Sequence, residues 1–236
     1  MSNRRPLHWT WLGRVPYSDA VELQHSSRQA IRSGEGPERF LLLEHPHVYT
    51  LGRNADGADV LAGSEWLRAR GIEVAECDRG GQVTYHGPGQ LVGYPIVNLS
   101  PDRRDIRRYV RDMQEVLIRT LAEFGLEARP GEEQAFIGVW VGNAKIASIG
   151  IHLSRWITTH GFALNVSTAL SYFAGIIPCG LHQVEMTSIE RLTGIAPALP
   201  DVAAIAARHF AEIFGRELVD DPYPSWAPAS VSASTR

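Results

Sequence analysis

Between Ser100 and Phe124 the apolar residues Ile106, Tyr109, Val110, Met113, Val116, Leu117 and Leu121 recur at spacings of three and four. That period places them on one buried stripe of a helix. Ser100-Pro101-Asp102 supplies a capping hydroxyl, a proline for the first helical position and an acidic first turn, and Gly125 supplies a stop. The expected helix therefore runs from about residue 101 to Phe124. Ser18 to Arg32 also reads as a helix, as do short and longer segments over Ser188 to Leu192 and Leu199 to Phe214. Phe40 to Glu44 is a short, nearly unbroken apolar run before Pro46, the pattern of a buried strand, and Ile72 to Cys77 alternates as a strand does. Ala135–Val141, Lys145–Leu153 and Trp156–Val166 are rich in β-branched and aromatic residues. Gly142-Asn143 and Ser154-Arg155 separate them, so they should pair antiparallel, with Lys145 just past a hairpin tip. Strands and helices interleave without a regular βαβ repeat. The expectation is a mixed-sheet α+β fold forming one catalytic domain over residues 1–219, followed by a Pro-, Ser- and Ala-rich tail, 220–236, expected to be disordered.

Composition narrows the classes. With 236 residues, 44% of them hydrophobic, the chain can bury a full core, and a net charge of −3 without runs of like charge gives no nucleic-acid or membrane signature. The polar N-terminus lacks the apolar stretch of a secretory signal, and no segment is long enough to span a bilayer. Only Cys77 and Cys179 occur, without a C-x-x-C pair or a His/Cys cluster, so neither a metal site nor a disulfide scaffold is expected. Free thiols fit a cytoplasmic location.

Three features carry candidate chemistry. The segment Arg79-Gly-Gly-Gln-Val-Thr-Tyr-His-Gly-Pro-Gly-Gln90 is dense in glycine, which lets backbone approach a ligand closely. A hairpin needing tight turns would show the same density, and no phosphate-loop spacing fits. Cys179 sits between Pro178 and Gly180, where the chain can turn and present sulfur, although a cysteine in apolar surroundings also serves as simple packing. Cys77 has only the packing role. Lys145 is the sole lysine among 23 basic residues. In an apolar strand it could act as a base, which arginine cannot, or it could extend its ammonium from a strand end into water.

Taken in order, Leu43-Glu-His-Pro-His-Val-Tyr-Thr-Leu-Gly52, the Arg79–Gln90 segment, Lys145-Ile-Ala-Ser-Ile-Gly150, His160-Gly-Phe-Ala-Leu-Asn165 and Pro178-Cys-Gly180 resemble the motif set of the octanoyl-[acyl carrier protein]:protein N-octanoyltransferases of lipoate biosynthesis. The resemblance spans about Leu41 to Ile189. It implies the lipoate/biotin protein ligase fold and a Cys179/Lys145 dyad. Cys179 would take octanoyl from acyl carrier protein as a thioester and pass it to a lysine of a lipoyl domain, on 2-oxoacid dehydrogenase E2 subunits or the glycine cleavage H protein. Lys145 would ionise the thiol and relay protons. The same matching assigns the acyl pocket to Arg79, Gly80, Gly81, Gln82, Val83, Thr84, Tyr85 and His86, to Ser148, Ile149 and Gly150, and to Gly161, Phe162 and Ala163. His160 is a candidate supporting group. The donor thioester is already activated, so no ATP, metal or other cofactor is expected, and the enzyme is expected to act as a cytoplasmic monomer. An ATP-dependent lipoate or biotin ligase on the same fold is the alternative, one that has no use for Cys179.

Overall fold

The apolar runs pair into two sheets. In the computed structural model, which describes residues 4–131, 137–177 and 184–221, eleven strands and five α-helices alternate along the chain. The first half runs β1 (Arg5–Arg14), α1 (Tyr17–Ser33), β2 (Glu38–Glu44), β3 (Val48–Leu51), α2 (Ser64–Ala69), β4 (Glu73–Glu76), β5 (Val83–His86) and β6 (Gln90–Ile96). The second runs α3 (Ile106–Ala122), β7 (Ala128–Pro130), β8 (Gly138–Val141), β9 (Ala144–Ser154), β10 (Ile157–Asn165), α4 (Ile189–Thr193), α5 (Leu199–Phe214) and β11 (Arg216–Asp220). The large sheet has the order β11-β1-β2-β6-β10-β9-β8-β7, and β4-β3-β5 form a small one. β1 lies parallel to β11 and β2, whereas β6, β10, β9, β8 and β7 pair antiparallel, so the sheet is mixed and the fold is α+β.

Both faces of the large sheet are covered, which explains the unbroken run in β2. Phe40 and Leu42 join the core beneath α3 and α5, while Leu41 and Leu43 point the other way, into the core beneath α1. Alternation along one strand thus feeds two cores, and every position is apolar. A third, smaller cluster around Tyr49, Val83, Tyr85 and Phe173 supports the small sheet.

The structure moves the start of α3. Asp105 caps it, its side chain accepting from the Arg108 amide, whereas the Ser100 hydroxyl accepts from the Arg104 guanidinium and Asp102 pairs with Arg5. The better-placed carboxylate takes the cap, and residues 101–103 form a turn. Ile106 then falls at the first helical position and is 48% exposed, outside the buried stripe. Arg103 lies before the helix, bonded to Asp112 and to the Ile213 carbonyl and set over the Phe214 ring, so it does not share an exposed face with Arg107 and Arg111. The expected segment Ala135–Val141 begins in residues outside those described, as does most of the expected tail.

Candidate active site

A cleft forms where the glycine-rich segment meets the middle of the large sheet. β9 and β10 pair with Gly150 opposite Gly161, Ile149 opposite Phe162 and Ser148 opposite Ala163, so two motifs far apart in sequence become one wall. The register works because Gly161 has no side chain: a Cβ there would collide with the Gly93 carbonyl of β6. The opposite wall is the 79–86 segment. Its backbone is pinned by Gly52, Arg53 and Asn54 amides donating to the Gln82, Arg79 and Gly81 carbonyls, and by the Gly80 amide donating to Ile151. Arg79 is 8% exposed and donates through Nη2 to the Thr50 carbonyl at 2.6 Å and its hydroxyl at 2.8 Å, tying the segment to the end of β3.

Between these walls lies a cavity. Arg79, Gly80, Gly81, Gln82, Val83, Thr84 and His86 line one side, and Ser148, Ile149, Gly150, Gly161, Phe162 and Ala163 the other. Lys145 and His160 reach it too. Tyr85 does not line it, since alternation in β5 turns its ring to the opposite face, against Tyr49, Tyr172 and Phe173, with its hydroxyl 2.8 Å from His47 Nδ1. Two lining residues that sequence reading did not single out are Tyr17, at the start of α1, and Tyr94 of β6. Nothing in their local pattern marks them, because each comes from an element distant in sequence from the motifs.

Most lining groups that could ionise are neutral. His86 sits well below the usual imidazole range because burial and the neighbouring His45 both disfavour its charge, and burial pushes the Tyr17 and Tyr94 phenols far up. His45 behind them is lowered to about 4 by burial, and its Nε2 is 2.8 Å from the Tyr94 hydroxyl. Together with Ile149, Phe162, Ala163 and the glycine backbone, these make a wall suited to an apolar chain, with Lys145 as the one amine.

Lys145 is 2% exposed, with Nζ 5.8 Å from the centre of the Trp140 ring. Its amide donates to the Glu185 carbonyl at 2.8 Å and its own carbonyl accepts from Thr187 at 2.9 Å, so the chain that resumes after residue 183 is stitched to it. A buried series of bonds holds that stitch. His86 Nδ1 lies 2.8 Å from Gln90 Oε1, Gln90 Nε2 donates to Asn165 Oδ1 at 3.0 Å, and Asn165 Nδ2 donates to the Thr187 carbonyl at 3.0 Å. Gln90 and Asn165 close two of the sequence motifs, and this is what they do there. Cys179, with Pro178 and Gly180, lies outside the described residues. Cys77 is half-buried at the end of β4, its thiol donating to the Leu51 carbonyl at 3.2 Å.

The model of the lipoyl protein ligase A/B catalytic domain matches residues 16–211. The octanoyltransferase of Solibacter usitatus is 50% identical over 88% of this chain and 93% of its own length, and that of Rubrobacter xylanophilus is 50% identical over 86% and 91%. Among solved structures, the bi-partite lipoate protein ligase of Thermoplasma acidophilum aligns over 99% of this chain and 91% of its own with a TM-score of 0.72 at 18% identity, a likeness of fold.

Proposed function

The chain belongs to the octanoyltransferase family, acyltransferases built on the lipoyl protein ligase A/B catalytic domain, and from that membership we propose that Cys179 and Lys145 carry the reaction. Cys179 attacks the octanoyl thioester of acyl carrier protein and the phosphopantetheine thiol leaves. The acyl-enzyme is then attacked by the lysine amine of a lipoyl domain, on 2-oxoacid dehydrogenase E2 subunits or the glycine cleavage H protein. Lys145 takes the thiol proton and delivers it to the departing phosphopantetheine sulfur in the first half, and in the second it passes a proton from the incoming amine to the Cys179 sulfur.

The observation that carries this reading is the placement of Lys145. A lysine 2% exposed, lining the cavity beside neutral imidazoles and phenols, is also the anchor for the chain on the C-terminal side of residues 178–183. On the N-terminal side the Ile177 amide is bonded to the Asp59 carbonyl at 2.8 Å. The described residues on both sides of 178–183 are thus bonded to the fold, those on the C-terminal side to Lys145 itself. Both transfers exchange an activated thioester, so the reaction calls for neither ATP nor metal. A cytoplasmic site of action fits the reducing conditions the thiol needs, and among the described residues no helix is long and apolar enough to cross a membrane.

The test is intact-protein mass. Octanoyl carrier protein alone should add one octanoyl group without ATP, hydroxylamine should remove it, a lipoyl domain should discharge it, and Cys179→Ser should abolish it. Transfer that depends on ATP and free octanoate, with no covalent species in single-turnover mixing, would instead establish the ligase chemistry of the same fold.

A further inference from the structure

Transfer to the acceptor leaves a proton to be accounted for. A lysine at neutral pH arrives as an ammonium, with roughly one in 2500 molecules neutral for an ordinary amine. Forming the amide makes the N–C bond and breaks the C–S bond, and the nitrogen loses two protons. One returns to the departing sulfur through Lys145. The other must be taken from the ammonium before attack, inside a cavity where the Tyr17 and Tyr94 phenols and the His86 imidazole are buried and neutral.

One wall residue is arranged to take it. His160 is 3% exposed, lines the cavity and holds φ +56, in the left-handed region that is strained for a non-glycine residue. Its backbone amide donates to Gln24 Oε1 of α1 at 2.6 Å, and its Nε2 lies 2.6 Å from Asp78 Oδ1. A carboxylate only accepts, so Nε2 carries the ring proton and Nδ1 keeps its lone pair. His152 Nδ1 of β9 lies 3.0 Å from the Asp78 main-chain carbonyl and 3.1 Å from its second carboxylate oxygen, so Asp78 is anchored from β9 while it orients a ring on β10. A packing contact would need neither the left-handed backbone nor a carboxylate braced from behind.

We propose that Asp78 is a positioning residue for the amine-transfer half of the reaction, holding His160 so that its Nδ1 accepts the first proton of the acceptor ammonium. Asp78 stays ionised and steadies the imidazolium, and the proton passes to water once the amide product leaves. The charged and titratable groups around the ring are Asp78, Arg79, His152, His86 and Tyr94, with His25 of α1 acting on Asp78 from behind. Burial holds the His160 ring below the usual imidazole range against the pull of Asp78, which leaves it neutral at pH 7 and able to accept. Burial would raise the Asp78 carboxyl, but the hydrogen bond from His160 and the neighbouring imidazoles outweigh it and hold the group below the usual carboxylate range.

This inference rests on the thioester reading above, and splitting the half-reactions separates the two. In rapid mixing, Asp78→Asn should accept octanoyl from carrier protein at within about threefold of the native rate. Discharge of its acyl-enzyme by a lipoyl domain should fall roughly 10²-fold, the usual worth of a placed general base. The native discharge rate should be flat from pH 7 to 9. That of the variant should climb about tenfold per pH unit, because only amine already neutral then reacts. His160→Gln, which keeps a polar side chain in the wall, should show the same extra slowing and steeper pH slope of discharge relative to its own rate of acylation. Equal slowing of both half-reactions with an unchanged pH slope, or unaltered discharge, in either variant of native melting temperature would overturn it. A native enzyme that forms no acyl-enzyme would overturn the thioester reading, and this inference with it.

Discussion

At the scale of single residues, the site depends on what a side chain cannot be as much as on what it is. Lys145 is enclosed, and the backbone of Gly138 is part of the enclosure: with φ +151, a Cβ there would stand 2.6 Å from Lys145 Cε and closer still to the Ala147 carbonyl. Gly138→Ala should therefore displace the amine and lower acylation at least tenfold in folded protein. Kinetics paired with a melting curve check it, and native turnover would show that the amine is not held by that contact. Lys145→Arg keeps the charge but removes a base, and a guanidinium stays protonated at any working pH. Its acylation should fall roughly 10²-fold or more, read as the rate of thioester formation. Cys77→Ser should leave both half-reactions near native, because a hydroxyl can still donate to the Leu51 carbonyl that the thiol now meets. A large loss there would give Cys77 a part in the chemistry that its bond to backbone does not suggest.

At the scale of elements, the clearest lesson lies in how β1, β2 and β11 are joined. Glu38 at the start of β2 is 8% exposed and accepts from Arg216 Nε of β11 at 2.6 Å, from Arg5 Nη1 of β1 at 3.0 Å and from the Asn98 amide at 3.0 Å. Arg216→Ala should destabilise the fold by about 3–5 kcal/mol, since it strands a buried carboxylate, whereas Arg216 and Glu38 replaced together by Met and Leu should recover much of that. Denaturant midpoints of the three proteins measure it, and a single variant costing under about 1 kcal/mol would mean that Arg5 alone suffices. This clamp also shows why legibility was uneven. The strands β2, β9 and β10 and the helices α1 and α5 were readable because each buries a whole face of side chains whose period survives in the sequence. β11, Arg216–Asp220, spells Arg-Glu-Leu-Val-Asp and reads as a polar chain end, and only its parallel pairing with β1 makes it a strand. α3 was legible in its stripe but not in its start, because two capping signals competed and local sequence does not rank Asp105 above Ser100. In the site, the glycine-rich segment, Lys145 and the His160 motif were readable as motifs. Tyr17, Tyr94 and Asp78 were not, since what they do is decided by elements meeting across the fold.

At the scale of the molecule, the cavity lies between bodies of unequal strength. One wall belongs to the large sheet, whose core joins α3 and α5 to eight strands; the other belongs to the small sheet, supported by its own cluster and edged by β4, where Val74 is 45% exposed. A region with fewer buried apolar contacts opens at lower free energy, so amides of β3, β4 and β5 should exchange with solvent well before those of β2, β6 and β10. The backbone bonds from residues 52–54 to 79–82 and from Gly80 to Ile151 join the two bodies at the cavity itself. A ligand between the walls binds only while they are together, and at a hundred times its dissociation constant it stabilises that state by about 2.7 kcal/mol. Exchange in residues 79–86 should therefore slow by up to roughly 10²-fold when a non-hydrolysable octanoyl amide analogue fills the site, while that in β1 and β11, remote from the cavity, should change little. Mass-resolved hydrogen exchange with and without the analogue reads this directly. Uniform slowing across both sheets would mean that they open as one unit, and protection confined to β9 and β10 would place the acyl chain against the large sheet alone.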